Sequence, residues 1–413
     1  MPAVITTKRG TGGLQKRWAL RISTDQYECV GGRLSERHEA QINAADGSSA
    51  RVIFVLLHDG LGLGRDALSL AWLVSGIASQ YNVMNAKVLR SRQSDKHASP
   101  KETVPGSSKL GSRRHASPES VKTDIEQIWQ HVEWIAAEPR YAETDRLEQC
   151  RAYCERHLTA FGWTVERRRF SAADQMLRSM NGINLVARRS PQAVSSSSVF
   201  VLGAHLDSRE NTPGADDNAS AVAVLLEIAR LLGEANNAAL PKGVDLELVV
   251  FDLEEQGMLG GAFHAETCRQ QNRSLIGMVS LEMLGYCSHD PGSQTLPEGL
   301  QGIYPDVGNF IAVVGNQNSS DLIQHFADVI RLVDQLPCES LQVPDNGLPL
   351  PPTRLSDHSP FWDAGFPALM ITDTSFMRNP HYHEPSDTPQ TLDRDFLHKV
   401  AEGVLNAVSK LTG

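Results

Sequence analysis

The sequence predicts an α/β protein: a three-layer sandwich with a mixed, largely parallel central sheet, preceded by a poorly ordered N-terminal extension. Three observations predict it. Beyond residue 118, segments of strand and helix period alternate along the chain. Several of these, such as 199–206 and the later part of 244–253, are apolar almost throughout, as strands covered on both faces must be. Third, the chain changes character near residue 118. Residues 1–118 hold 17 Lys and Arg against 9 Asp and Glu, whereas 119–413 hold 22 against 40. Segment 91–118, SRQSDKHASPKETVPGSSKLGSRRHASP, is rich in Ser, Lys, Arg and Pro and nearly free of large apolar residues, the composition of a disordered linker. The expected organisation is an extension of unknown role over 1–90, a linker over 91–118 and a folded domain over 119–413.

In order, a strand is expected over 51–57 and a helix over 67–81. In the domain, helical spacing marks 121–137 and 145–161, the second stopped by Gly162. Strands follow at 163–170, 184–187 and 199–206, then a strongly apolar helix at 219–232. A strand at 244–253, a helix at 258–271 and a strand at 275–283 continue the alternation. A strand at 310–314, a helix at 320–332, a strand at 368–372 and a closing helix at 394–411 complete it. In such a sheet the ligand site lies at the carboxyl ends of the strands.

Composition excludes several classes. With 413 residues, 41% hydrophobic and 21% charged, the chain is neither coiled coil, collagen nor wholly disordered. The basic charges of the first part are scattered, without aromatic interleaving or an arginine helix, so no nucleic-acid partner is expected. The longest apolar run, 67–78, contains Ser69 and Ser75 and is too short for a membrane span. No secretory signal is read in the first thirty residues, where Lys8, Arg9, Lys16 and Arg17 lead only into a short broken stretch. Localisation is therefore not assigned, and the oligomeric state has no sequence signal. Six cysteines without a CxxC do not make a disulfide framework, and Cys150 and Cys154, four apart on a helix, suit apolar packing.

Five segments carry acids or imidazoles at strand ends: GAHLDS (203–208), PGADDNAS (213–220), FDLEEQG (251–257), SLEMLGY (280–286) and NPHYHEPSDT (379–388). Metal catalysis needs nitrogen and oxygen donors converging from several such ends, with one coordination position left open. His205 and Asp207, two apart on a strand, point the same way, and the acid can orient the imidazole. Asp216 and Asp217 precede a helix that either they or Asn218 could cap, yet adjacent carboxylates facing a cleft also suit a bridging cation. Glu254 and Glu255 leave an apolar strand together, so one could bind metal while the other takes a proton. Glu282 lies inside an apolar segment and needs a partner. His383 completes the set from a loop shared with His381 and Tyr382.

In this order the motifs resemble the zinc aminopeptidases of clan MH, family M28, over about residues 120–413. The resemblance implies a zinc exopeptidase-like fold and peptide substrates. It implies that Asp217 bridges two zinc ions, with His205 and Glu282 on one, and Glu255 and His383 on the other. Glu254 is then the general base, Asp207 the orienter of His205, and Tyr382 a candidate donor to the developing oxyanion. SDHSPFWDAGFPAL (356–369) resembles a family stretch near the substrate pocket, with no role assigned to Asp357 or His358. Many family members have Asp where this chain has Glu282, a departure that leaves one zinc possible instead of two. The function expected is removal of N-terminal amino acids from peptides by metal-activated water. Two alternatives share the core: a glutaminyl-peptide cyclotransferase with one zinc, and a metal-free interaction domain like transferrin receptor ectodomains.

Overall fold

The computed structural model describes residues 36–43, 49–56, 122–189, 198–234 and 244–411. The expected helix 67–81, the linker 91–118 and the disorder of the extension lie outside these residues. The chain divides into two compact units, 1–102 and 103–413. In the first, β1 (Glu36–Asn43) and β2 (Ser49–Leu56) pair antiparallel, and β2 contains residues 51–56 of the strand expected at 51–57.

The second unit opens with α1 (Ile125–Ile135), whose N-cap Asp124 accepts from the Glu126 amide and which buries Ile128, His131, Val132 and Ile135 at helical spacing. α2 (Asp145–Ala160) is capped by Thr144 and buries Cys150 and Cys154, as their spacing predicted. β3 (Thr164–Ala173), β4 (Ser179–Arg188) and β5 (Ser198–His205) lead to α3 (Ala221–Glu234). β6 (Val244–Phe251), α4 (Leu259–Gln270), β7 (Leu275–Glu282), β8 (Ile311–Asn316) and α5 (Ser320–Ile330) follow. β9 (Cys338–Val343), α6 (His358–Asp363), β10 (Ala368–Thr372) and α7 (Arg394–Ser409) close the fold. Sequence spacing had shown neither β9 nor α6.

Eight strands form one sheet in the order β3-β4-β6-β5-β7-β10-β8-β9. The central strands β6, β5, β7 and β10 run parallel, β8 runs antiparallel to β10, and β3 and β4 are antiparallel at one side. Alternate residues separate two cores. Phe200, Leu202, Leu248 and Leu281 pack with α1, α2, α3, α5 and α7, whereas Val201, Val249, Phe251 and Met278 pack with α4 and α6. The sheet therefore lies between two helical layers, with the carboxyl ends of its parallel strands at one edge. Among the described residues no helix is long and apolar enough to cross a membrane.

Candidate metal centre

Three of the five predicted donors sit at or just beyond a strand end. His205 is the last residue of β5 and Glu282 the last of β7; Glu254 and Glu255 follow β6. Asp217 lies in a distorted turn before α3, entered through Gly214, whose φ of 64° and contact with the Asp217 carbonyl leave no room for a Cβ. Helix α3 starts at Ala221, so neither Asp216 nor Asp217 is its N-cap. Non-glycine residues with positive φ flank the donors: Leu253 and Met258 around the Glu pair, Met283 after Glu282, and His383 itself. Such backbone costs roughly 1–3 kcal/mol per residue and persists where the surroundings impose it.

The side chains form two groups that share Asp217. His205 Nε2 is 3.3 Å from Asp217 Oδ1 and 3.5 Å from Glu282 Oε2; His383 Nε2 is 3.2 Å from Asp217 Oδ2 and 3.3 Å from Glu255 Oε2. Donors bound at about 2.0–2.1 Å to a tetrahedral ion stand roughly 3.3–3.4 Å from one another. The distances from each imidazole to its two carboxylates thus match the spacing of ligands around one cation, and His205 Nε2 and Glu255 Oε1 are buried without a hydrogen-bond partner. Glu282 reaches its place because Ser356 donates to its Oε2 at 2.7 Å, and the Ser356 hydroxyl lies 2.8 Å from that of Ser280. The extra methylene is accommodated by a neighbour and does not pull the carboxylate away.

Burial and the mutual charges of these groups shift the titration of most of the donors. Burial, then the charge of Asp217, raises the Glu255 pKa, and burial raises that of Glu282 despite His205. Burial would lower both imidazoles, but Glu282 and Asp207 hold His205 well above its usual value, and Asp217 and Glu255 hold His383 at about 9. Against its own burial, Asp217 is kept below the usual carboxylate range by the two neighbouring histidines. A cation would displace protons from the raised groups.

Asp207 differs from the sequence expectation. It lies beyond the end of β5, and its carbonyl oxygen, at 3.1 Å, is nearer to His205 Nδ1 than its carboxylate, at 3.7 Å. The carboxylate instead accepts the Glu254 and Glu255 amides at 3.0 and 3.1 Å, fixing the Glu pair. Glu254 lines the cavity, its pKa raised by burial and by Glu282, Asp357 and Glu255 against the pull of His205. Tyr382 stacks on the His383 ring at 3.6 Å, and burial, then the nearby acids, keep its hydroxyl protonated.

Other contributors had no role that the sequence could assign. The fully buried Arg140 donates to the carbonyls of Leu206, Pro213 and Gly214, clamping the two donor-bearing loops together. Asp387 accepts the Asp216 and Asp217 amides, one on each carboxylate oxygen. Asp216 turns away from the donors, accepting from Gly285 N and Asn379 Nδ2. Asp357 accepts from the Gly261 amide beneath the site, its carboxyl pushed up to about 8 by burial, whereas His358 donates to the Thr353 carbonyl. Arg209 Nε pairs with Glu255 Oε2 at 2.8 Å at the cavity mouth. From the donors the cavity runs over an apolar wall that includes Leu300, Phe310, Val314, Leu341 and Met370.

Residues 184–408 match the family model for peptidase family M28. The chain is 34% identical over 307 residues to the uncharacterized protein YfbL of Escherichia coli, covering 71% of this chain and 88% of that one. It is 26% identical over 231 residues to leucine aminopeptidase 1 of Arthroderma otae, covering 52% of this chain and 55%, about half, of that relative. Among solved structures it shares a fold with a zinc aminopeptidase from Bacillus subtilis, with TM-score 0.56, 13% identity, 70% of this chain and 96% of that one. Glutaminyl cyclase of Porphyromonas gingivalis is also similar, with TM-score 0.55, 20% identity, 70% of this chain and 99% of that one.

Proposed function

Since the chain belongs to peptidase family M28, we propose that it is a zinc aminopeptidase that removes N-terminal residues from peptides. One observation carries the reading: two donor trios, His205–Asp217–Glu282 and Asp217–Glu255–His383, share a carboxylate beside a cavity that Glu254 also lines. These residues would hold two zinc ions. When bound, zinc supplies Lewis acidity and brings the pKa of a coordinated water toward about 7. Glu254 is the group placed to take the proton from the attacking water and return it to the leaving amine. The Asp207 carboxylate, through the two Glu amides, sets the position of Glu254. The Tyr382 hydroxyl is available to donate to oxygen charge that develops on the scissile carbonyl. The acidic surroundings favour a substrate's free α-ammonium, which supports action at the N-terminus.

Glu254→Gln keeps the size and removes the base. Turnover of aminoacyl amides by the zinc-loaded variant is expected to fall by about 10²–10⁴-fold, with bound zinc unchanged. Activity within a few-fold of the wild type would refute the role. Because the fold is shared with glutaminyl cyclase, a peptide with N-terminal glutamine separates the chemistries: free glutamine supports the peptidase, pyroglutamyl peptide and ammonia the cyclase.

A further inference from the structure

The cavity wall beyond the donors is set by strand register. Thr372 on β10 pairs with Glu282 on β7 and Ala312 on β8, and Ala312 pairs with Glu339 on β9. The four side chains form one row across the sheet, and all four line the cavity. The next row on the same face is Ser280, Met370, Val314 and Leu341, apolar beyond the serine on β7. With strands about 4.8 Å apart, Glu339 stands about 14 Å along the row from the metal donor Glu282. Thr372 and the small Ala312 between them leave a trough with an acid at each end.

The two acids differ in their surroundings. Glu282 has His205 and Ser356. Glu339 is half-buried, and among the described residues its carboxylate has neither a hydrogen bond nor an ion pair. Tyr304, whose hydroxyl donates to the Ser340 carbonyl at 2.9 Å, stands close enough to feel its charge. A carboxylate partly withdrawn from water at the end of an apolar trough is at its most favourable when a cation meets it.

We propose that Glu339 determines specificity in this pocket, selecting peptides whose N-terminal residue has a long cationic side chain, lysine or arginine. The inference rests on the aminopeptidase reading and narrows its substrate class. An extended lysine places its ammonium about 6 Å from Cα, and the Glu339 carboxylate stands about 4 Å off its own Cα. A hydrogen bond of about 2.8 Å joins the two charged ends above the row, because the Glu339 side chain stands off the sheet. The methylenes lie on Val314 and Met370 while the charged end meets the acid. Leucine meets only the apolar wall and is the poorer substrate.

The test compares side chains alike in length but not in charge. The zinc-loaded full chain is assayed on aminoacyl amides of lysine against norleucine and of arginine against citrulline. In the wild type each kcat/KM ratio is expected to favour the cation by about tenfold or more, chiefly through KM. In Glu339→Gln both ratios fall to about one, and Glu339→Asp restores part of the preference. Wild-type ratios near one, or ratios unmoved in Glu339→Gln, would overturn the proposal. If none of the four amides were hydrolysed, the failure would lie with the aminopeptidase reading. Calorimetric binding of free lysine against norleucine to wild type and Glu339→Gln would then still decide Glu339: a lysine preference lost in the variant supports it, and equal binding overturns it.

Discussion

Asp387 shows how a residue that touches no reacting atom can govern the site. Its two oxygens hold the amides of Asp216 and Asp217, so it fixes the backbone from which the bridging carboxylate projects, while burial and the Asp216 charge push its own pKa up to about 7. Asp387→Asn points an amide N–H where an acceptor is needed. Zinc affinity, measured by competition with a chromogenic chelator, is expected to fall about 10–100-fold with the fold retained. Unaltered affinity would confine Asp387 to a stabilising role. The donors were legible in the sequence because acids and imidazoles stand out at the ends of apolar strands. Arg140 was not, and Asp387, though part of the NPHYHEPSDT segment, had no role that could be read there, since the two act on backbone groups 66 and 171 positions away and such a pairing leaves no local pattern. Glu339 was invisible for a related reason: only the register of β8 on β9 places it in the cavity.

Elements with a strong period were legible, and those without one were not. β10 has the bounds expected of it, 368–372, and the helix expected at 394–411 ends within two residues of α7. β9 reads CESLQV, an edge strand with polar residues on both faces, and α6 is a six-residue helix containing a proline, too short for helical periodicity to show. The helical layer also holds a pH-sensitive contact. His131 on α1 meets the Tyr153 hydroxyl on α2 at 2.8 Å, and burial, followed by the charges of His157 and Arg230, lowers its pKa to about 4. An unfolded histidine titrates near 6.5. Between these values the unfolded chain binds more protons, so the contribution is complete above about pH 6.5 and is lost as the pH falls through about 4. It amounts to roughly 3 kcal/mol. Urea unfolding from pH 7 to 4 should therefore show a steeper loss of stability in the wild type than in His131→Gln. Parallel curves would show that His131 does not carry the dependence.

Taken as a whole, the domain brings its metal donors together from five separate segments. Metal binding and folding are therefore coupled: the donors come from β5, β7 and the segments after β6, before α3 and after β10, and they meet only in the folded chain. Without a cation the folded state confines several raised carboxyl groups together with two protonated imidazoles. A ligand that binds only this state stabilises it by RT ln(1 + [L]/Kd), about 4 kcal/mol at a thousandfold excess over Kd. In a domain of this size 1 kcal/mol moves Tm by roughly 2 °C, so zinc should raise the melting temperature of chelator-treated protein by about 8 °C. The rise should continue with the logarithm of zinc concentration past saturation of activity. Asp217→Asn weakens both trios at once and should abolish most of the rise, whereas His383→Ala, which belongs to one trio, should leave a substantial part of it. If the two variants lost the rise equally, the donors would form a single site and the shared carboxylate would not be a bridge.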